Sequence, residues 1–221
     1  KSLDPAYSVH TPKPIFSNRQ FFTVSPTALV LRPGSESALV TVKNESDETL
    51  RFQLSAYSWS QSRGGAIALG PTEDIVFFPP LLSLGPREER QVRIGAAAQF
   101  SLSERSYRLF IEELPPLTRR QDGGIQMLTK MGIPIFMQPS RPRGEGAIED
   151  LGVNSGVLTF SLHNTGNVHF LPQAVMVKGF NHVGAQVFER QVESWYVLAG
   201  GKRDFEIRLP TVACRTITNL S

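Results

Sequence analysis

The chain is 221 residues long, 40% hydrophobic and 19% charged, with a formal net charge of +3. That mixture supports a packed core, argues against wholesale disorder, and fits two domains of ordinary size. The small basic excess is scattered among acidic residues, so no nucleic-acid footprint is expected, and no apolar run is long enough to enter and span a bilayer.

Residues 1–20 carry Pro5, Pro12 and Pro14 without clear periodicity and read as an arm that need not pack. The first methionine is Met127, the pattern of an exported chain whose signal peptide has been removed. The lone Cys214 cannot form an intrachain bridge, so an oxidising compartment is permitted but not indicated. From Phe21 the pattern changes: "FTVSPTALVLRPGSES" gives two short apolar runs split by Pro26 and closed by a Pro33–Gly34 turn, which predicts an edge strand interrupted by proline.

Strand-sized alternating runs follow: "SALVTVKNES" (37–46), "LRFQLSAYSWS" (50–60), "ERQVRIG" (89–95) and "SYRLFIEELPP" (106–116). Val40 and Val42 share one face, as do Phe52, Leu54 and Ala56. "FFPP" (77–80) predicts an X–Pro turn in which a cis bond before Pro79 is plausible. Only "LSERS" (102–106) suggests a single helical turn. The class is all-β.

"PSRPRGEGA" (139–147) reads as a linker, dividing the chain into the arm 1–20, a first domain 21–140 and a second domain 141–221. Beyond it the same vocabulary returns. "GVLTFSLHNTGN" (156–167) echoes "SALVTVKNESDE", and "YVLAGGKRDFEIRL" (196–209) echoes "LLSLGPREERQVRI" (81–94). This weak repeat predicts two sandwiches of related topology, the second with fewer strands or a clipped end.

Chemistry-bearing constellations are not evident, and neither catalysis nor a cofactor is expected. His163 and His169 flank the "NTGN" turn and could meet around a metal, but no third ligand suggests itself. His10, His182 and Cys214 have no sequence partner, and "RPGSES" and "RGG" lack the context of phosphate loops. Glu112 and Glu113 alternate across a strand and cannot act together on one bond.

The segment "GGIQMLTKMGIPIFMQP" (123–139) alternates beyond what closing a small sandwich needs. Ile125, Met127, Thr129, Met131, Ile133 and Ile135 fall on one face; Gln126, Leu128, Lys130, Gly132 and Pro134 fall on the other. Two readings stay open. Either this is an ordinary last strand, or Ile125 to Thr129 project from an edge that charge and proline leave unblunted before Lys130 and offer it to another chain.

Taken in order, "FTVSPTALVLRPGSESALVTVKNES", "FFPPLLSLGPREERQVRIG", "SYRLFIEELPP", "GIPIFMQP", "NTGN" and "WYVLAG" resemble the PapD-like periplasmic chaperones of the chaperone–usher pathway. The resemblance is nearest to the archaic branch that assembles spore-coat-type thin pili, and it runs from about Phe21 to near the C-terminus. It implies two immunoglobulin-like domains set at an angle around a cleft. It also implies a pilin-like or coat-type subunit that lacks its last strand, an outer-membrane usher that receives that subunit, and a periplasmic location. Ile125, Met127, Leu128 and Thr129 would be the donated strand, each large apolar side chain worth roughly 1.5–3 kcal/mol when buried. A contact to the subunit's terminal carboxylate adds roughly 1.5–3 kcal/mol.

In the best-known branch an arginine on the first strand and a lysine beside the last strand hold that carboxylate. Here those positions fall on Ala28 and Pro134, neither of which has a side-chain donor. Arg108 and Lys130 are the candidates for that role, although Lys130 lies on the face opposite Ile125 and Met127. "EELPPLTRRQDGG" (112–124) would be the loop entering the donor strand, with Gly123 and Gly124 as a hinge. The rival reading is a structural or adhesive two-domain surface module in which 123–129 is closed within its own sheet.

Overall fold

The computed structural model describes residues 21–117, 127–193, 195–211 and 216–220, so the arm, Ile125, the Gly123–Gly124 hinge and Cys214 lie outside the described residues. Ten strands precede residue 138: β1 (Phe22–Ser25), β2 (Leu29–Leu31), β3 (Ser37–Asn44), β4 (Leu50–Gln61), β5 (Ile67–Pro71), β6 (Ile75–Phe78), β7 (Leu81–Leu84), β8 (Glu89–Ala96), β9 (Arg105–Leu114) and β10 (Lys130–Met137). Six follow: β11 (Gly146–Asn154), β12 (Val157–Asn164), β13 (Val175–Phe180), β14 (Gln186–Val192), β15 (Lys202–Arg208) and β16 (Asn219–Leu220).

The first ten strands form a sheet in the order β1-β3-β8-β6 and a larger one in the order β2-β10-β9-β4-β5, with β7 also on β4. Period-two alternation sends Val40, Val42, Val92 and Ile94 from the first sheet and Phe52, Leu54, Leu109, Ile111, Ile133 and Ile135 from the second into one core. Pro26 is where the chain changes sheets. β1 pairs with β3, and after a cis Ser25–Pro26 bond β2 runs parallel to the end of β10. Each half is thus an edge strand of a different sheet, and the Phe78–Pro79 bond is also cis.

The last six strands form two three-stranded sheets, β11-β12-β15 and β14-β13-β16, around Leu158, Phe160, Val177, Phe205, Ile207 and Leu209. Both halves of the sequence echo hold in three dimensions: β3 pairs antiparallel with β8, and β12 with β15. Each first strand ends on a buried asparagine. Asn44 donates from Nδ2 to the carbonyls of Glu48, Leu84 and Gly85, and Asn164 to those of Val168 and Val197. Their Oδ1 atoms accept the N–H of Ser46 and of Gly166, closing the same turn twice.

Among the described residues the two units meet at three places. Arg63, in the β4–β5 turn, sets its guanidinium on Asp204 at 3.1 Å, and its carbonyl accepts the Asp204 N–H. Trp59 and Phe136 pack with Tyr196 and Leu198. Glu104, whose side chain is fully enclosed, accepts the backbone N–H of His169 at 3.0 Å, meets its Nδ1 at 2.8 Å, and accepts Nε2–H of Gln138. This third contact replaces the helical turn expected over 102–106. The Glu104 N–H donates to Asn167 O and Arg105 joins the ladder opposite Met137, so a bend at Leu102–Ser103 leads directly into strand and no helical turn forms.

Candidate functional site

Strand β10 pairs with β9 along its whole length, Lys130 opposite Glu112 through to Met137 opposite Arg105, without a bulge. On its other side β2 covers only Ile135 to Met137. Among the described residues, then, Lys130–Pro134 forms an open edge. The Glu113 N–H donates to Thr129 O, which identifies the pairs that face β9. By alternation the N–H and C=O groups of Lys130 and Gly132 and the carbonyl of Pro134 point outward from that edge.

The faces follow the period of two. Met131 packs against the core that contains Ile133 and Ile135. Met127 continues that side of the strand past the end of the ladder and is 81% exposed, with Leu128 45% exposed beside it. Two large apolar side chains therefore stand in solvent at the end of a strand whose edge is open, the combination that soluble folds otherwise blunt.

The opposite face carries the charges. Tyr57, Arg108 and Pro134 lie in one cross-strand row, Ser55, Phe110 and Gly132 in the next, and Gln53, Glu112 and Lys130 in the third. Gly132 is required there, because a Cβ would meet the Phe110 ring at 2.8 Å. Lys130 Nζ is bound to Glu112 at 2.8 Å, which raises the lysine's pKa, and it lies 4.9 Å over Phe110.

Arg108 is placed differently. Its guanidinium lies 4.0 Å over Trp59, and its one hydrogen bond runs from Nη1 to Gly132 O at 3.5 Å. Nε and Nη2 are enclosed and have no hydrogen-bond partner among the described residues. Burial holds its pKa below the usual arginine value, partly countered by Tyr196. Arg108 is thus a half-buried cation with two N–H groups that no described residue engages. Four residues of strand separate the Arg108 and Lys130 rows, about 13 Å along the backbone, and each side chain leans toward the Phe110–Gly132 row between them.

Ala28 is exposed in the bend before β2, and Pro134 is buried beside Arg108. Trp59, against the Arg108 guanidinium, and Phe136 and Tyr196, which pack with Trp59, were not singled out by sequence reasoning. Trp59 shares the outward face with Tyr57, two residues earlier in the same alternating run, and that was the signal available. His163 and His169 do not converge: His163 Nδ1 lies 3.0 Å from Glu149, and His169 goes to Glu104. Among the described residues no group of three or more His, Cys, Asp or Glu is placed to hold a metal ion.

Comparison with known proteins gives a family and a fold. The family described as "Pili and flagellar-assembly chaperone, PapD N-terminal domain" matches residues 21–143. No curated protein matches the chain. Among solved structures, the Class 5 fimbriae chaperone CfaA is similar, with a TM-score of 0.61 and 15% identity over 86% of this chain and 87% of that one. A chain of the CsuC–CsuE chaperone–tip subunit complex, from archaic chaperone–usher Csu pili of Acinetobacter baumannii, gives 0.58 and 15%, over 84% and 90%. A chain of the Salmonella enterica SafA pilin–SafB chaperone complex gives 0.56 and 14%, over 86% and 84%. At such identities the likeness is one of fold.

Proposed function

The chain belongs to the PapD-like family of pili and flagellar-assembly chaperones, and from that premise we propose that it captures a pilin-like subunit by lending it a strand. The observation that carries this is the open edge of β10 running out to an exposed Met127 and Leu128. The donated segment is Ile125 to Thr129, with Met127 and its same-face neighbours entering the subunit's groove and the outward N–H and C=O groups of Lys130 and Gly132 pairing with a subunit strand. The subunit is an immunoglobulin-like fold short of one strand. It would be received in the periplasm and passed to an outer-membrane usher.

Arg108 is the proposed holder of the subunit's terminal carboxylate, because its guanidinium, stacked on Trp59, keeps N–H groups that no described residue engages. Lys130, already bound to Glu112, would steer register along the strand rather than share that carboxylate. A structural or adhesive module, the rival reading, needs this edge closed by a neighbour.

Met127→Glu tests the proposal. Placing a charge where an apolar side chain must be buried costs several kcal/mol, while an exposed site tolerates it in the free protein. Co-purification of the cognate subunit should be lost with the melting temperature unchanged. Normal co-purification by a folded Met127→Glu protein would refute strand donation.

A further inference from the structure

The ladder between β9 and β10 ends abruptly, and the residues at its end explain why. The register places Thr129 opposite Glu113, and the next pair that would exchange bonds is Met127 opposite Pro115. Pro115 and Pro116 have no N–H, so neither can donate to a partner strand. At the last pair, Glu113 N–H donates to Thr129 O at 2.9 Å, but the return bond is not main chain to main chain. Thr129 N–H donates instead to Oε2 of Glu113 at 3.2 Å. The carboxylate stands in for the carbonyl that a continuing ladder would use.

Glu113 is an unusual residue for this place. It points to the core side of β9, is 8% exposed, and is a charge-bearing group among apolar neighbours. Its neighbour Glu112 faces solvent and Lys130. Burying a carboxylate is costly unless the group is hydrogen-bonded, so its retention here needs a reason beyond packing.

We infer that Glu113 is a positioning residue which, with Pro115, fixes Thr129 as the point where the donated segment leaves its own sheet. The inference rests on the strand-donation reading and adds to it the device that sets the register. Residues from Lys130 onward stay with β9, Met127 and Leu128 are released, and the clamp determines which side chains reach which part of the subunit's groove. A slip of one residue would turn Met127 away and present Leu128 instead.

Three variants test this: Glu113→Ala, Glu113→Gln and Pro115→Val, read by amide exchange in the free chaperone and by subunit capture. Glu113→Ala should speed Thr129 amide exchange about tenfold or more and weaken capture, whereas Glu113→Gln, which keeps an acceptor, should hold both within about threefold of the parent. Pro115→Val restores a donor opposite Met127 and should weaken capture by holding the segment on β9. Unchanged Thr129 exchange in Glu113→Ala overturns the clamp. Faster exchange with full capture by both Glu113→Ala and Pro115→Val overturns its role in register. If instead Met127→Glu captures normally, strand donation itself fails and the inference falls with it.

Discussion

Arg108→Met separates what the guanidinium does for the free protein from what it does for a bound subunit. In the free protein, among the described residues, the side chain makes one long hydrogen bond, 3.5 Å to Gly132 O, and leaves Nε and Nη2 enclosed without partners. Its stacking on Trp59 at 4.0 Å is worth about 0.5–2 kcal/mol, and the cost of burying the cation offsets it. Methionine keeps most of the apolar contact with Trp59, so the melting temperature should move by no more than a few degrees. If the guanidinium holds the subunit's carboxylate as proposed, it gains a charge-assisted contact worth about 1.5–3 kcal/mol. Its loss should weaken capture roughly 10- to 150-fold. The assay is competition binding with a peptide of the subunit's C-terminal strand, as free acid and as amide. Parent protein should prefer the acid by that factor, and Arg108→Met should not distinguish the two. An Arg108→Met protein that retains the preference would refute the anchor.

Asn44→Ala leaves the carbonyls of Leu84 and Gly85 without their donor and should cost about 3 kcal/mol, roughly 10 °C in melting temperature, by differential scanning calorimetry; a change under 2 °C would contradict the turn's structural role. Burial raises the Glu113 pKa, with the Thr129 N–H pulling the other way, so this glutamate's contribution is fully present below its ordinary value of 4.5 and is lost as pH rises through the raised folded value. Glu113→Gln should therefore gain melting temperature over the parent at pH 8 and lose that gain at pH 4. A pH-independent difference would show that the carboxylate is not desolvated.

Much of the fold was legible because period-two alternation is a direct image of a half-buried strand. Val40/Val42, Phe52/Leu54 and Ile133/Ile135 all enter the core as the pattern required. The internal echo was legible for a sharper reason: Asn44 and Asn164 each close the same turn with the same bonds, so the chain spells it twice. What the sequence could not show was long-range. Pro26 announces a break, but not that the strand crosses to the other sheet, since that depends on β10 offering an edge to Leu29–Leu31. The 102–106 turn was misread because Glu104 is committed to His169, 65 residues away.

The site divides in the same way. The surplus apolar face at Met127 could be read from spacing, and Arg108 and Lys130 could be picked out as basic residues near the strand. Their different situations could not, because the ion pair to Glu112 and the stacking over Trp59 both depend on cross-strand register. Glu113 was noticed only as one of two carboxylates on opposite faces. Its bond to Thr129 comes from where the ladder stops.

The most direct test is residue-resolved hydrogen–deuterium exchange at Lys130 and Gly132, whose amides face outward from β10. In the free chaperone both should exchange quickly, and in complex with the subunit both should slow by at least a hundredfold as a new strand pairs along them. Equal exchange in the two states, with the subunit demonstrably bound, would mean that this edge is not what the chaperone lends.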